Sequence, residues 1–341
     1  MAEGKQKALV VDAHFDLLFD LGKRHTLGEK QVIKNRYLPL FREGGVDVVA
    51  GAIYVDDAYL PEMALRQALD QVSSLYQELQ DTPDDIQLCC TYQDIVAASE
   101  AGKVAIILTM EGVEPLFNDL NLLPVFYQLG VRVVTLTHSR RNYAADGCAY
   151  TEVPSGKAGG LTDFGVRVVE LAQRLGIVVD VSHLNEEGFW DAMEFCPGPV
   201  IFSHSNPKAL CNVPRNVTDD QIKAIAQHNG VVCINATNLM LDTNPQRVDV
   251  SRYLDHVEYV ADLVGVDFVG LGFDFCDHLL AFLSDAEKAR LPKFFAAPGI
   301  SNHGEVVNVK KGLLQRGFSE SEVARIMGGN YLRVFKEVVG K

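Results

Sequence analysis

Along this chain, short runs of Val, Ile and Leu alternate with longer stretches in which apolar residues recur every three or four positions. The runs Leu9–Asp12, Val46–Val55, Val104–Met110, Val131–Thr135, Ile177–Asp180, Val200–Phe202, Val231–Ile234 and Phe268–Leu271 predict eight strands. Most are continuously apolar rather than alternating, as in strands covered on both faces. Helices are predicted at Glu62–Gln80, Phe164–Leu175, Thr218–His228, Val257–Val264, Glu305–Arg316 and Ser319–Met327. Thr218 and the Ser319-x-x-Glu322 pattern supply N-terminal caps. Strands joined by helical crossovers predict a (β/α)8 TIM barrel. A doubly wound open sheet is the alternative, but no Gly-x-Gly-x-x-Gly follows an early strand. No repeat, low-complexity tract or Pro/Ser-rich linker divides the chain, so a single domain over residues 1–341 is expected. Its surplus length falls in extra helices after strands 2 and 8, and Asp277–Ala297 is placed as a lid or subunit contact.

Composition narrows the class. With 31 basic and 45 acidic residues the formal net charge is −14, and no Lys/Arg cluster forms a phosphate-binding stripe, so nucleic acid is not expected as a partner. The seven cysteines are scattered without a Cys-x-x-Cys pair, which argues against a zinc knuckle or a redox dithiol. Neither an apolar leader segment nor an 18-residue apolar run is present, and the expectation is a cytoplasmic protein that does not engage a membrane.

The polar residues that end the strands change the picture. His14 and Asp16 follow the first strand, two apart, and in extended backbone they point the same way. Alone, such a pair reads as a turn histidine beside a helix-capping aspartate. Strand 3, however, runs directly into Glu111, and strand 4 ends at His138. Strands 5 and 6 end in Ser182-His183 and Ser203-His204, and strand 8 in Asp274. In a barrel all strand C-termini open on one face, which carries the active site. Six of the eight strands thus deliver His, Asp or Glu to one mouth.

The set His14, Asp16, Glu111, His183 and His204 is rich in nitrogen and oxygen without thiolate, which suits Zn²⁺ or a related first-row ion in an open catalytic site. It exceeds the needs of one tetrahedral ion and suits two, with Glu111 as the bridge because a carboxylate has two oxygens; a hydroxide between the ions is then the nucleophile. His138 fits a sixth ligand, a group behind the ligands or a donor to a substrate carbonyl. Asp274 fits a ligand or a proton carrier. Arg215, after strand 6, fits a surface arginine or an anion-binding one. His25, His228, His256, His278 and His303 lie away from the strand ends and are read as surface or structural residues.

The ordered set resembles the membrane dipeptidase (renal dipeptidase) family, peptidase family M19, a metallopeptidase branch of the amidohydrolase-like barrels. The likeness rests on His14-x-Asp16, Thr109-Met110-Glu111-Gly112, Leu136-Thr137-His138 with Asn142 and Asp146, and Gly160-Leu161-Thr162-Asp163-Phe164-Gly165. It continues through Asp180-Val181-Ser182-His183, Phe202-Ser203-His204-Ser205, Arg215-Asn216 and Gly329-Asn330-x-x-Arg333-Val334-Phe335. The resemblance implies a binuclear zinc dipeptidase. His14 and Asp16 would hold one ion, His183 and His204 the other, and Glu111 both. His138 would polarise the scissile carbonyl and steady the oxyanion. Arg215 would grip the substrate carboxylate. Asp274 would bind the free amine and carry the proton to the leaving nitrogen. It further implies acceptance of L-Xaa-D-Xaa dipeptides, a homodimer and, with no leader or lipid-anchor tail, a soluble bacterial-type member. Hydrolysis of another amide, a lactam or a lactone is the alternative. The chain departs from the family at Cys276, which replaces the second acid after strand 8.

Overall fold

The structure, a computed structural model, describes residues 7–151, 156–289 and 296–340. Nine parallel strands form one sheet: β1 (Val11–Phe15), β2 (Val48–Tyr54), β3 (Ile86–Leu88), β4 (Val104–Glu111), β5 (Val131–Thr135), β6 (Val178–Asp180), β7 (Val200–Phe202), β8 (Val231–Ile234) and β9 (Val269–Leu271). Their order is β1-β2-β4-β5-β6-β7-β8-β9, with β3 paired only to β4, outside the path. The eight-stranded path is the expected (β/α)8 TIM barrel.

Continuous apolar strands make sense in this setting because each buries two faces. Ala105 and Ile107 of β4 join Val11, Val48, Val133, Val178, Ile201 and Val231 in an inner cluster, while Ile106 and Leu108 join the outer layer beneath the helices. The C-terminal helix Asn330–Val339 adds Tyr331, Leu332, Val334 and Phe335 to the inner cluster. Just before them, the Asn330 amide donates to the carbonyls of Val266 and Val269, pinning the start of β9. The Arg333 guanidinium likewise holds carbonyls of Asn229, Gly230 and Asp267. The C-terminal motif is therefore a structural clasp.

Closure between β9 and β1 relies on a side chain. Asp12 Oδ1 accepts the backbone N–H of both His14 (3.2 Å) and Phe273 (3.0 Å), and Oδ2 lies 2.8 Å from His303 Nε2. This corrects the first predicted strand. The apolar run ends at Asp12, yet β1 continues to Phe15, because Asp12 is fully hydrogen-bonded and costs the strand little to bury. His14 thus sits on the strand itself.

Most predicted helices shift by a residue or two, as at Asp219–Gln227, where Thr218 and Gln221 form a reciprocal capping box. The helix predicted at Val257 begins earlier, at Val250, capped by Asp249. Leu17–Thr26, Tyr92–Glu100 and β3 are further elements that the sequence pattern above does not include. Between β2 and β4 lie the helices Ala64–Asp81 and Tyr92–Glu100, one on each side of β3 in sequence, and after β9 come Val306–Gln315, Glu320–Ala324 and Asn330–Val339. Of the connection 277–297, residues 290–295 lie outside the described ones; the described part forms short turns of helix at Leu279–Phe282 and Asp285–Lys288. No helix among the described residues is long and apolar enough to cross a membrane.

Candidate metal centre

The strand ends bring the predicted residues together. His14 lies on β1 with Asp16 just beyond it, and Glu111 is the last residue of β4. His138, His183 and Asp274 each lie three residues past their strands, and His204 lies two past β7. The imidazole Nε2 atoms of His14, His183 and His204 approach Glu111 Oε1 at 3.6, 3.1 and 3.5 Å, and His14 Nε2 is 3.8 Å from Asp16 Oδ1. The His14 and His204 rings stack at 3.8 Å, and His138 packs on His183 at 4.6 Å. Three overlapping groups have ligand atoms within 4.8 Å of one another: His14, Glu111 and His204; Glu111, His138 and His183; His14, Asp16 and Asp274.

The backbone is held under strain at this cluster. His183 (φ 67°) and Asp274 (φ 54°) occupy the left-handed region, which residues with a Cβ enter at a cost. Such conformations persist where surrounding contacts enforce them. Here the His183 carbonyl accepts Cys148 N–H at 2.7 Å, and Asp274 N–H reaches the His14 carbonyl at 3.3 Å. Glycine is required beside them: a Cβ on Gly272 would sit 1.7 Å from the Ser203 carbonyl oxygen.

These donors fit a cation. His14 Nε2, His204 Nε2 and Asp16 Oδ1 are buried without a hydrogen-bond partner among the described residues. Burial, reinforced by the Arg215 charge, lowers the His14 pKa to about 3, and burial also holds His138, His183 and His204 well below the ordinary imidazole range. They are neutral, as ligation requires. Burial and mutual repulsion push Asp16 and Glu111 well above the carboxylic range; Asp274 rises to about 6, mainly through burial. Three buried acids with ligand atoms turned toward neutral imidazoles form a cage whose missing charge a divalent ion supplies.

Arg215 lies against this cage, with 3% of its surface exposed. Nη1 donates to Ser205 Oγ (3.1 Å) and Nη2 to the His204 carbonyl (3.2 Å), while Nε is buried without a partner. No carboxylate of the described residues lies within 4.0 Å of it. A cavity of about 50 Å³ adjoins it, lined in part by Cys148, His183 and Lys208.

A family model described as membrane dipeptidase (peptidase family M19) matches residues 4–340. The chain belongs to this family. It is 30% identical over 328 residues to Dipeptidase tcpJ of Claviceps purpurea (strain 20.1), covering 96% of this chain and 72% of that one. The structure of dipeptidase AC, a metallopeptidase of family M19, superposes with a TM-score of 0.84 at 26% identity, covering 98% and 99% of the two chains. A metallopeptidase from Rhodobacter sphaeroides, liganded with a phosphinate mimic of the dipeptide L-Ala-D-Ala, gives 0.84 at 25% identity, over 97% and 99%. The M19 family and the metal-ligand cluster together make this chain a metallo-dipeptidase.

In this dipeptidase, several residues near the chemistry escaped sequence reasoning. Asp274 Oδ2 accepts from Asn235 Nδ2 (2.8 Å), the Tyr150 hydroxyl (3.2 Å) and Thr237 Oγ1 (3.3 Å). Asn235 follows β8 directly and Tyr54 ends β2, packing on His138 at 4.9 Å. Neither is a His, Asp or Glu at a strand end; Asn235 is marked in the sequence as a polar residue directly after an apolar run, whereas Tyr54 lies within the run Val46–Val55 and carries no such mark. Asp146, part of the resemblance, pairs with Arg141, and Asn142 caps the local turn by accepting the N–H of Ala144 and Ala145. Cys276 is partly buried close to Asp274 and Asp16, and burial raises its thiol pKa.

Proposed function

We propose that this protein is a binuclear zinc dipeptidase that hydrolyses dipeptides bearing a free C-terminal carboxylate, L-Xaa-D-Xaa substrates included. The observation that carries the substrate class is Arg215. A buried guanidinium whose only partners among the described residues are a hydroxyl and a carbonyl is costly unless an anion arrives to pair with it. A substrate carboxylate beside the cage satisfies it in planar, bidentate fashion.

His14 and Asp16 would hold one ion, His183 and His204 the other, with Glu111 shared. When bound, the ions would supply Lewis acidity, activating a water as the nucleophile and polarising the scissile carbonyl. The remaining work falls to side chains. Neutral His138 donates a hydrogen bond to the carbonyl oxygen as charge gathers there. Asp274 has its Oδ2 taken by three donors. Its Oδ1 meets the substrate ammonium, takes the proton of the attacking water and passes it to the leaving nitrogen.

Elemental analysis of zinc per chain, paired with hydrolysis of L-Ala-D-Ala and L-Ala-L-Ala, tests this reading. Two zinc with chelator-sensitive cleavage supports it. Two zinc without cleavage directs the search to other amides, lactams or lactones. A protein that takes up no zinc overturns it.

A further inference from the structure

The chain carries two Ser-His pairs at consecutive strand ends, Ser182-His183 and Ser203-His204, equivalent in sequence but used differently in the fold. His183 Nδ1 is buried without a partner among the described residues. His204 Nδ1 instead lies 2.7 Å from the hydroxyl of its own neighbour, Ser203, and Ser203 Oγ is 2.5 Å from Asp180 Oδ2. Ser182 turns away from its histidine: its Oγ accepts His204 N–H at 3.3 Å and lies 3.3 Å from Ser203 Oγ.

The protons in this chain can be counted. Asp180 is buried and accepts four hydrogen bonds: Ser182 N–H (2.9 Å) and Ser203 N–H (3.0 Å) on Oδ1, and the hydroxyls of Thr135 (2.6 Å) and Ser203 on Oδ2. An ionised carboxylate only accepts. The single Ser203 hydroxyl proton therefore points to Asp180, and Ser203 Oγ faces His204 with a lone pair. Two acceptors 2.7 Å apart repel, so the proton of this contact belongs to His204 Nδ1. Neutral imidazole carries one ring proton, which leaves His204 Nε2 as a bare lone pair facing Glu111.

We infer that Asp180 and Ser203 form a relay that fixes the Nδ1–H tautomer of His204 and so presents its Nε2 to the metal. They are positioning residues, acting on the centre only through His204. The device extends the familiar carboxylate–histidine pairing behind metal ligands by one serine hydroxyl. It also makes the two histidines of the second ion unequal, His204 being locked in both ring orientation and tautomer.

The inference rests on the metal-site reading above, and two variants separate their failures. In Asp180→Asn the amide oxygen stays on the two backbone N–H groups, so the amide nitrogen faces the hydroxyls of Thr135 and Ser203 and donates to both. The Ser203 proton then turns to His204 Nδ1 at 2.7 Å in preference to Ser182 Oγ at 3.3 Å, moving the ring proton to Nε2. Long-range ¹H–¹⁵N NMR of the chelator-treated protein, with His204 assigned by substitution, reads this directly: Nδ1–H in the parent and Nε2–H in Asp180→Asn. Competition with a chromophoric zinc chelator should show one of two zinc ions held roughly 10–100-fold more weakly in Asp180→Asn and in Ser203→Ala. The same tautomer in parent and Asp180→Asn, or zinc affinities within twofold of the parent, overturns the relay. Should Asp180→Asn fail to fold by circular dichroism, the parent tautomer and the Ser203→Ala affinity decide. A parent protein that binds no zinc overturns the dinuclear reading, while the tautomer measurement still judges the relay.

Discussion

Replacing Arg215 should separate activity from stability. The Arg215→Met variant keeps most of the side-chain volume and removes the charge. Two charge-assisted hydrogen bonds to a substrate carboxylate contribute about 1.5–3 kcal/mol each, so their loss costs roughly 3–6 kcal/mol of transition-state binding. At about 1.4 kcal/mol per factor of ten, kcat/KM for L-Ala-D-Ala should fall by roughly 10²–10⁴. Substrates whose carboxyl is blocked as an amide never make that contact, and their lower kcat/KM should change by no more than about threefold. Folding should respond differently. In the free protein Arg215 is buried, with only Ser205 Oγ and the His204 carbonyl as partners among the described residues, so its removal gives up two hydrogen bonds and also relieves the desolvation of a charge. The urea midpoint should therefore stay near that of the parent or rise. Steady-state kinetics on the free and amidated pair, with urea titrations of both proteins, provide the check. Equal losses on both substrates would refute the carboxylate assignment. A large loss of stability would show that Arg215 serves the fold instead.

Other perturbations follow from the same geometry. His256 donates from Nε2 to the Leu241 carbonyl at 2.9 Å, and burial lowers its pKa to about 4 from 6.5. A depressed imidazole pKa means that the unfolded chain binds more protons between these values. The parent should thus lose about 3 kcal/mol relative to His256→Gln as pH falls from 6.5 toward 4, and urea titrations at pH 7 and pH 4.5 measure it. Gly272→Ala places a methyl 1.7 Å from the Ser203 carbonyl oxygen, so an overpacking cost of about 1–3 kcal/mol is expected in the urea midpoint, with weakened zinc retention because Ser203 precedes His204. Asp12→Ala strands the His303 ring and two backbone N–H groups, and should cost about 3–5 kcal/mol by the same assay; a loss below about 1 kcal/mol would remove its role in closing the barrel.

How much of this was legible in the sequence depends on what each residue does. Strands that bury both faces advertise themselves as Val/Ile/Leu runs, and the ligands follow those runs because a barrel gathers its strand ends at one mouth. The neighbours of the ligands were less visible. Tyr150 reaches Asp274 across 124 positions of sequence, a meeting set by the course of a loop rather than by any period. Ser182 and Ser203 are indistinguishable as letters, and only the backbone bend at His183 sends one hydroxyl toward a neighbour and the other onto its own histidine. The β1 boundary failed for a related reason, since an aspartate in an apolar run reads as an end until its partners are known.

Those partners show one device used twice. Asp12 ends an apolar run two residues before His14; Asp180 ends another two residues before Ser182, which precedes His183. Each turns Oδ1 to the N–H two residues onward and to an N–H past the end of an adjacent strand: Phe273 for Asp12, Ser203 for Asp180. Strand pairing leaves off at the barrel rim, where backbone donors would otherwise be buried unsatisfied, and the carboxylate takes over two of them. With those donors satisfied the following histidine faces the mouth, from the strand itself at His14 and from a left-handed bend at His183. Oδ2 remains for a second task, His303 in one case and the Ser203 hydroxyl in the other. An aspartate two or three residues before a histidine in or after an apolar run thus signals how backbone donors at the rim of a parallel barrel are satisfied and how the ligand there is aimed.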